Sequence, residues 1–165
     1  MPHIGTKIVN AEPMTRAAYN EFRGWELPAD ENGDDAGYLV EYLDGGKPNV
    51  PGRTGYISWS PAEQFDAAYR ETHSLPFGHA VEALKNGFRL SRKGWNGKGL
   101  FIYLVPANSY PVQTPAAKSY FGADAMVPYN AYIAIKGADE TVSTWVPSIG
   151  DVLADDWEIV NDVML

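Results

Sequence analysis

Residues 77–87 read FGHAVEALKNG, a pattern typical of one short amphipathic helix. The apolar residues that share one helical face, at i, i+3, i+4 and i+7, are Phe77, Ala80, Val81 and Leu84. Gly87 closes the pattern, and Pro76 separates it from the preceding segment because proline disfavours helix at the residue before it. The sequence therefore predicts a helix with one buried face.

Short apolar runs follow this helix and predict β-strands. The predicted strands are residues 88–92, 100–105, 132–136, 141–145 and 157–160. Gly137–Glu140 is predicted as the turn of a hairpin, and Asn96-Gly97 is a strong reverse-turn signal. Residues 106–128, which include Tyr110, Tyr120 and Phe121, are predicted as one long loop, and loops of that length are usually functional or mobile.

The first 74 residues predict a separate α+β segment. Residues 7–11, 38–42 and 55–59 are predicted as strands. Thr15 is the expected cap of a helix that ends at Gly24. Ser60-Pro61-Ala62-Glu63 resembles a capping box and predicts a second helix over residues 61–71. A joint at residues 73–76 then divides the chain into residues 1–74 and residues 75–165.

Charge and composition exclude several classes of protein. The formal net charge of the 165-residue chain is −8, with twelve acids and six bases in residues 1–74 and nine acids and seven bases in residues 75–165. Nonspecific binding to a nucleic acid polymer needs a basic face, so it is not expected. An acidic surface can mimic DNA, but far more often it keeps a protein in solution. We expect a cytoplasmic protein, since the start of the sequence is not typical of a signal peptide and no apolar run is long enough for a membrane helix.

The sequence offers few parts for catalysis or metal binding. It has no cysteine, and its three histidines, His3, His73 and His79, lack metal-ligand spacing. Phosphate-loop and serine-hydrolase motifs are missing as well. Residues 30–41 match a calcium loop at positions 1, 3, 5 and 12, but position 6 is Asp35 where the turn requires glycine. A solvated acidic loop is the favoured interpretation, and no metal or cofactor is expected.

Residues 92–99, RKGWNGKG, are the most informative candidate site. Three bases, bare glycine amides and a large ring together suit a phosphate and a stacked base. The alternative is a surface hairpin whose Trp95 folds back onto its own sheet. The residues alone do not decide between these two interpretations.

Six segments in order resemble the phage anti-Thoeris family, the Thoeris anti-defence 2 proteins. The segments that carry the resemblance are residues 77–87, 92–99, 103–106 and 132–136, then Trp145, and residues 151–160. The resemblance implies a small α+β domain, with an amphipathic helix on an antiparallel β-sheet, that assembles as a homotetramer. It also implies a non-catalytic sponge for glycocyclic ADP-ribose isomers, and in some relatives for the cyclic dinucleotides of CBASS defence. Residues 1–74 would then be an α+β extension of unknown role, most simply a packing extension.

The chemistry of individual side chains is compatible with such a ligand. Rings offer stacking surfaces, cations and amides offer phosphate contacts, and carboxylates can accept from ribose hydroxyls. The predicted ligand-binding residues are Phe77, Arg92, Lys93, Trp95, Asn96, Gly97, Tyr103, Tyr132, Lys136, Asp151 and Asp156. For Lys136 an exposed strand end is the simpler role, and Trp145 and Trp157 are expected in the core or in a subunit contact.

Two alternatives to the sponge stay open. The first is an enzyme that cleaves the same nucleotides with Asp151, Asp155 or Asp156 as acid or base, but no paired carboxylate site is evident. The second is a structural or host-interaction protein that acts through the acidic residues 1–74.

Overall fold

The chain forms two compact units, Met1–Arg70 and Glu71–Leu165, in a computed structural model that describes residues 1–2 and 5–160. In those residues, no helix combines the length and the apolar character that crossing a bilayer requires.

The N-terminal unit is a three-stranded antiparallel sheet with two helices. Its elements are β1 (Val9–Pro13), α1 (Arg16–Arg23), β2 (Gly37–Tyr42), β3 (Tyr56–Pro61) and α2 (Ala62–Ala68). The strand order is β1-β2-β3. Tyr19 of α1 packs in the buried core with Leu39 and Ile57, which point to one face of the sheet.

The two helices of this unit differ in how well the sequence predicts them. The Thr15 side chain accepts a hydrogen bond from the Ala18 amide, and Gly24 ends α1 in the left-handed conformation with φ 67°, which confirms both predicted caps. The prediction of a capping box at Ser60 is wrong. Ser60 lies in β3 opposite Tyr38, so strand pairing holds it extended and α2 begins only at Ala62.

Glu41, the last acid of the calcium-like pattern, is buried in β2 and bound by protein donors. Its Oε1 accepts hydrogen bonds from the amides of Thr54 and Gly55, each at 2.9 Å, and from the Thr54 hydroxyl at 3.0 Å. The Gly55 amide leads the contacts that lower the pKa of Glu41. A Cβ at Gly55 would lie 2.0 Å from the Tyr42 carbonyl oxygen, so this close approach requires glycine. Glu41 therefore fastens the loop between β2 and β3 to the sheet.

The C-terminal unit is built around a five-stranded antiparallel sheet. Its sheet strands are β4 (Leu90–Arg92), β5 (Phe101–Val105), β8 (Tyr132–Lys136), β9 (Val142–Thr144) and β10 (Trp157–Ile159). Its other elements are α3 (Phe77–Lys85), β6 (Asn108–Pro111), α4 (Pro115–Phe121), β7 (Met126–Tyr129) and α5 (Ile149–Val152). The strand order in the large sheet is β10-β4-β5-β8-β9.

The amphipathic helix α3 covers one face of this sheet. Ala80 and Leu84 on α3 are fully buried together with Leu90, Ile102 and Trp157 from the strands. Phe77, Ala80 and Leu84 of the predicted face thus form the helical half of the core together with Ala83, whereas Val81 is only half-buried. The predicted α+β class, with a helix on an antiparallel sheet, is confirmed.

The prediction of one long loop over residues 106–128 is wrong. β6 and β7 pair with each other antiparallel, and α4 lies between them. The Thr114 side chain accepts from the Ala117 amide and Pro115 occupies the first turn of α4, which are ordinary helix-start signals. Sequence reasoning missed β6 and β7 because neither strand has alternating apolar residues and the two pair with each other.

Truncation of Trp157 tests the core of the C-terminal unit. Trp157→Ala should lower the free energy of unfolding of this unit by about 3 to 5 kcal/mol, because it empties a fully buried indole site. Native-state hydrogen exchange on the full chain, read at the amides of Leu90 and Ile102, measures the loss. Trp25→Ala is the matched control, since Trp25 is 54% exposed. Equal protection in the wild type and Trp157→Ala would contradict this packing.

Candidate functional site

The carboxylate of Asp151 is the centre of a buried polar network. Asp151 Oδ2 accepts from the Ser148 amide at 2.9 Å and from the Ser148 hydroxyl at 2.7 Å. The Ser148 hydroxyl in turn accepts from the Asp151 amide, which completes a capping box at the start of α5. The pattern Ser-x-x-Asp at residues 148–151 predicts such a box, but sequence reasoning missed it.

Arg92 joins this network to the turn that follows β4. Its Nη1 donates to Asp151 Oδ1 at 2.8 Å, and its Nε donates to Asp156 Oδ1 at 2.7 Å. The other oxygen of Asp156 accepts from the Gly94 amide at 2.9 Å. One guanidinium is therefore paired with two carboxylates, and the network carries a net negative charge.

Three indoles pack around the same carboxylate. The ring centroids of Trp95, Trp145 and Trp157 lie 5.4 to 6.1 Å apart in edge-to-face pairs. Trp95 Nε1 donates to Asp151 Oδ1 at 3.2 Å, and Trp157 Nε1 donates to the Asp151 carbonyl oxygen at 3.0 Å. Edge-to-face aromatic pairs with satisfied indole N–H groups are stable core elements. Trp95 thus folds back onto its own sheet. This is the arrangement expected if residues 92–99 form a surface hairpin.

The network holds its acids in the ionised form. Burial alone would raise the pKa of Asp151, but hydrogen bonds from Ser148, Arg92 and Trp95 outweigh it and lower that pKa to about 2. The hydrogen bond from Arg92 is the main cause of the lowered pKa of Asp156. The same two carboxylates raise the pKa of Arg92. Two carboxylates surround the single guanidinium, so little attraction for a phosphate is left at Arg92.

An open cavity of about 400 Å³ lies elsewhere in the C-terminal unit. Its lining residues are Gly87, Phe88, Arg89, Phe101, Tyr103, Leu104, Lys136, Val142, Ile159 and Val160. Phe101 and Tyr103 flank the fully buried Ile102, so the alternation of the strand points both rings away from the α3 core. Lys136 is paired with Phe101 across the ladder and shares that face.

The predicted ligand-binding residues therefore separate into three groups. Arg92, Trp95, Asp151 and Asp156 meet in the buried network, and Phe77 packs beside it with its ring 5.6 Å from that of Trp157. Tyr103 and Lys136 meet at the cavity. The third group, which lines neither feature, is Lys93, Asn96, Gly97 and Tyr132.

Gly97 has a packing reason for lacking a side chain. A Cβ there would lie 1.8 Å from Leu100 Cδ1. A larger residue at this position would need the Leu100 side chain to move, and the role of Gly97 as a phosphate-binding amide stays a prediction.

Sequence reasoning missed most of the cavity lining, including Arg89 and Phe101. The Arg89 guanidinium carbon lies 5.0 Å from the centroid of the Phe101 ring, within the range of a cation–π contact. The alternation Phe101-Ile102-Tyr103 contained the signal, because it places two rings on one face with an aliphatic residue on the other.

No group of three His, Cys, Asp or Glu side chains suited to a metal ion occurs within the described part of the chain. The C-terminal unit thus contains a buried network of one arginine and two aspartates, and a cavity lined by aromatic rings and cations. Together with the helix-on-sheet architecture, they define a small α+β domain with room for a small molecule.

Comparison with known proteins identifies this domain. Residues 75–160 match the model of the Thoeris anti-defense 2-like domain. The protein Thoeris anti-defense 2 of Bacillus phage SP01 is 39% identical over 90 residues, which cover 53% of this chain and 96% of that protein. The chain belongs to the Thoeris anti-defense 2-like family, a family of phage anti-defence proteins, and the resemblance of residues 77–160 is confirmed.

Acidification tests the network around Asp151. Its pKa is lower in the folded protein than the usual 3.8, so the ionised carboxylate stabilises the fold above pH 4 and this contribution disappears as the pH falls toward 2. The contribution should be about 2 kcal/mol. Asp151→Asn should be less stable than the wild type at pH 7 and should lose less stability between pH 4 and pH 2. Urea denaturation across this range measures both, and identical pH profiles would refute the pairing.

Proposed function

We propose that this protein binds a cyclic nucleotide immune signal, first of all a glycocyclic ADP-ribose isomer, and withholds it without degrading it. The observation that carries the proposal is the cavity, with three aromatic rings, those of Phe88, Phe101 and Tyr103, and two cations around about 400 Å³. Small-ligand sites typically measure a few hundred Å³ and combine apolar walls with a few polar groups. Membership of the anti-defense family supplies the biological context.

The aromatic rings of the cavity suit the purine base of such a ligand, and its cations suit the phosphates. A purine can stack on Phe101 or Tyr103, and base–aromatic stacking contributes about 1 to 3 kcal/mol. A diphosphate can accept charge-assisted hydrogen bonds from Lys136 and Arg89. A sponge that competes for a scarce signal needs a nanomolar dissociation constant, or about −12 kcal/mol.

Retention without cleavage is supported by the charges of the candidate catalytic groups. Asp151 and Asp156 have lowered pKa values and are ionised at neutral pH, so neither is suited to donate a proton there. Both are also bound to Arg92. The described side chains that line the cavity include neither a carboxylate nor an imidazole, and the Glu140 carboxylate, which reaches Lys136 from solvent, is paired with that cation.

Recovery of the ligand tests the proposal. Incubation with a glycocyclic ADP-ribose isomer, removal of the unbound fraction, digestion with protease and chromatography should release the isomer intact. In a thermal-shift assay, ligand at 100 times its dissociation constant should add about 2.7 kcal/mol of stability. Cyclic dinucleotides of CBASS form the second panel of ligands. A chemically altered product would favour the enzyme, and no binding in either panel would overturn sequestration.

Variants of the cavity locate the binding site. Tyr103→Ala and Lys136→Gln should each weaken binding about tenfold, because each removes one stacking or charge-assisted contact. Isothermal titration calorimetry measures the change. Tyr120→Ala is the control, since Tyr120 is 84% exposed and does not line the cavity. Unchanged affinity in both cavity variants would move the site elsewhere and restore residues 92–99 as the candidate.

We further propose that the protein is a homotetramer, with an apolar patch on α5 as one contact between copies. The patch consists of Val146, Ile149 and Leu153, whose exposed fractions are 83%, 76% and 75%. Ile149 begins α5, Leu153 is the C-cap of this helix, and Val146 lies just before its N-cap, so the three residues are close neighbours in sequence. Large exposed apolar groups that cluster are typical of protein contacts.

Charge placed in this patch tests the assembly. The double variant Ile149→Asp and Leu153→Asp should sediment at a lower mass than the wild type, because it buries two carboxylates in an apolar contact. Analytical ultracentrifugation measures the mass. Leu43→Asp, at an exposed position of the N-terminal unit, should leave it unchanged. A monomeric wild type would contradict the proposal.

A further inference from the structure

The cation at the cavity is held by an acid of the same hairpin. Lys136 Nζ lies 2.5 Å from Glu140 Oε1 and 3.4 Å from the Gly99 carbonyl oxygen. The two partners differ in exposure, since the Lys136 side chain is 17% exposed and the Glu140 side chain 79% exposed. The lysine is part of the cavity wall, and the carboxylate reaches it from solvent.

The backbone places the Glu140 carboxylate there at a conformational cost. Glu140 has φ 66°, and it is the one residue other than glycine with positive φ in the described chain. Residues with a Cβ rarely adopt this region, which glycine or asparagine occupies more easily. The turn is held by hydrogen bonds from the Glu140 amide to the Gly137 carbonyl at 3.2 Å and from the Gly137 amide to the Thr141 carbonyl at 2.8 Å. An acid therefore stands at a turn position that favours other residues.

The surroundings of Lys136 suit a phosphate better than they suit the Glu140 carboxylate. Phe101 pairs with Lys136 in the ladder, and the Arg89 guanidinium lies over the Phe101 ring. Two cations thus flank one ring at the cavity. A phosphate offers more acceptor oxygens at this position than the Glu140 carboxylate, which pairs with Lys136.

We propose that the Glu140 carboxylate occupies a phosphate subsite beside the cavity and is displaced from Lys136 when a phosphate of the ligand binds. The inference rests on the proposed function, whose binding site it resolves into a phosphate subsite at Lys136 and an aromatic part at Phe101 and Tyr103. Glu140 then sets the affinity threshold, because every anionic ligand must compete with it.

The energetics permit this exchange. Ion pairs with a well-exposed partner contribute little to stability, so a phosphate loses only about twofold to fivefold in affinity by displacing one. The released carboxylate is already largely hydrated. A dianionic phosphate has more charge and more acceptor oxygens to offer Lys136 than the Glu140 carboxylate has.

Titration with inorganic pyrophosphate tests the subsite directly. In the full-length protein, pyrophosphate should shift the amide NMR signals of Gly99, Lys136 and Gly137. Glu140→Gln keeps the size and the backbone requirement of the residue but removes its charge. Its pyrophosphate dissociation constant should be about twofold to fivefold lower than that of the wild type. Lys136→Gln should abolish the shifts.

Two controls separate displacement from general electrostatics. Glu82→Gln removes an acid from another exposed pair, Lys85–Glu82 on α3, and should leave pyrophosphate binding unchanged. In the Lys136→Gln background, Glu140→Gln should bring no gain, because the two residues act as one unit. An equal gain from Glu82→Gln, or a gain from Glu140→Gln without Lys136, would overturn the inference.

The outcomes also distinguish this inference from the proposed function. Pyrophosphate shifts that tighten in Glu140→Gln support the subsite, even if no cyclic nucleotide binds and sequestration fails. Binding of a cyclic nucleotide with no pyrophosphate response in any variant supports sequestration but overturns the subsite. Glu140→Gln with the pyrophosphate affinity of the wild type overturns it as well.

Discussion

The buried carboxylate of Asp151 is the constraint on which the C-terminal unit depends. It caps α5 through Ser148, pairs with Arg92 at the end of β4 and accepts from the Trp95 indole. A buried charge is tolerated only when it is paired and its lone pairs are satisfied. Because these donors come from segments far apart in sequence, the carboxylate ties the ends of the domain together. Trp157 adds its own hydrogen bond to the Asp151 backbone and closes the core beneath.

Because of this pairing, the charges that stabilise the fold around Asp151 differ from the charges that line the cavity. Arg92 is the most conspicuous cation of the glycine-rich segment, yet two carboxylates neutralise it. The cations at the cavity, Arg89 and Lys136, lie on the opposite face of the sheet, beside aromatic rings. A domain that binds an anion gains from this division, since the residues that stabilise it are not the ones that must exchange partners.

The sequence predicted those features whose signals are local. Apolar spacing identified α3, and the Thr15 and Gly24 caps identified α1, because both depend on residues within a few positions. The hairpin of β8 and β9 followed from its turn for the same reason. The errors occurred where strand pairing overrode a local signal. Ser60 has the spacing of a helix cap but is held in β3 by its partner strand, and the segment after β5 was predicted as a loop although it contains a paired hairpin.

By itself, the sequence determined the class, the family and the residue types available for a ligand: an order of six motifs, a helix on antiparallel strands, no cysteine and few histidines. Only the tertiary structure decided which side chains meet. Trp95 became part of a core and Arg92 the partner of two acids because β10 and α5 return to β4 from about sixty residues along the chain. Hydrogen bonds at that separation depend on strand register and helix placement, which no local pattern encodes.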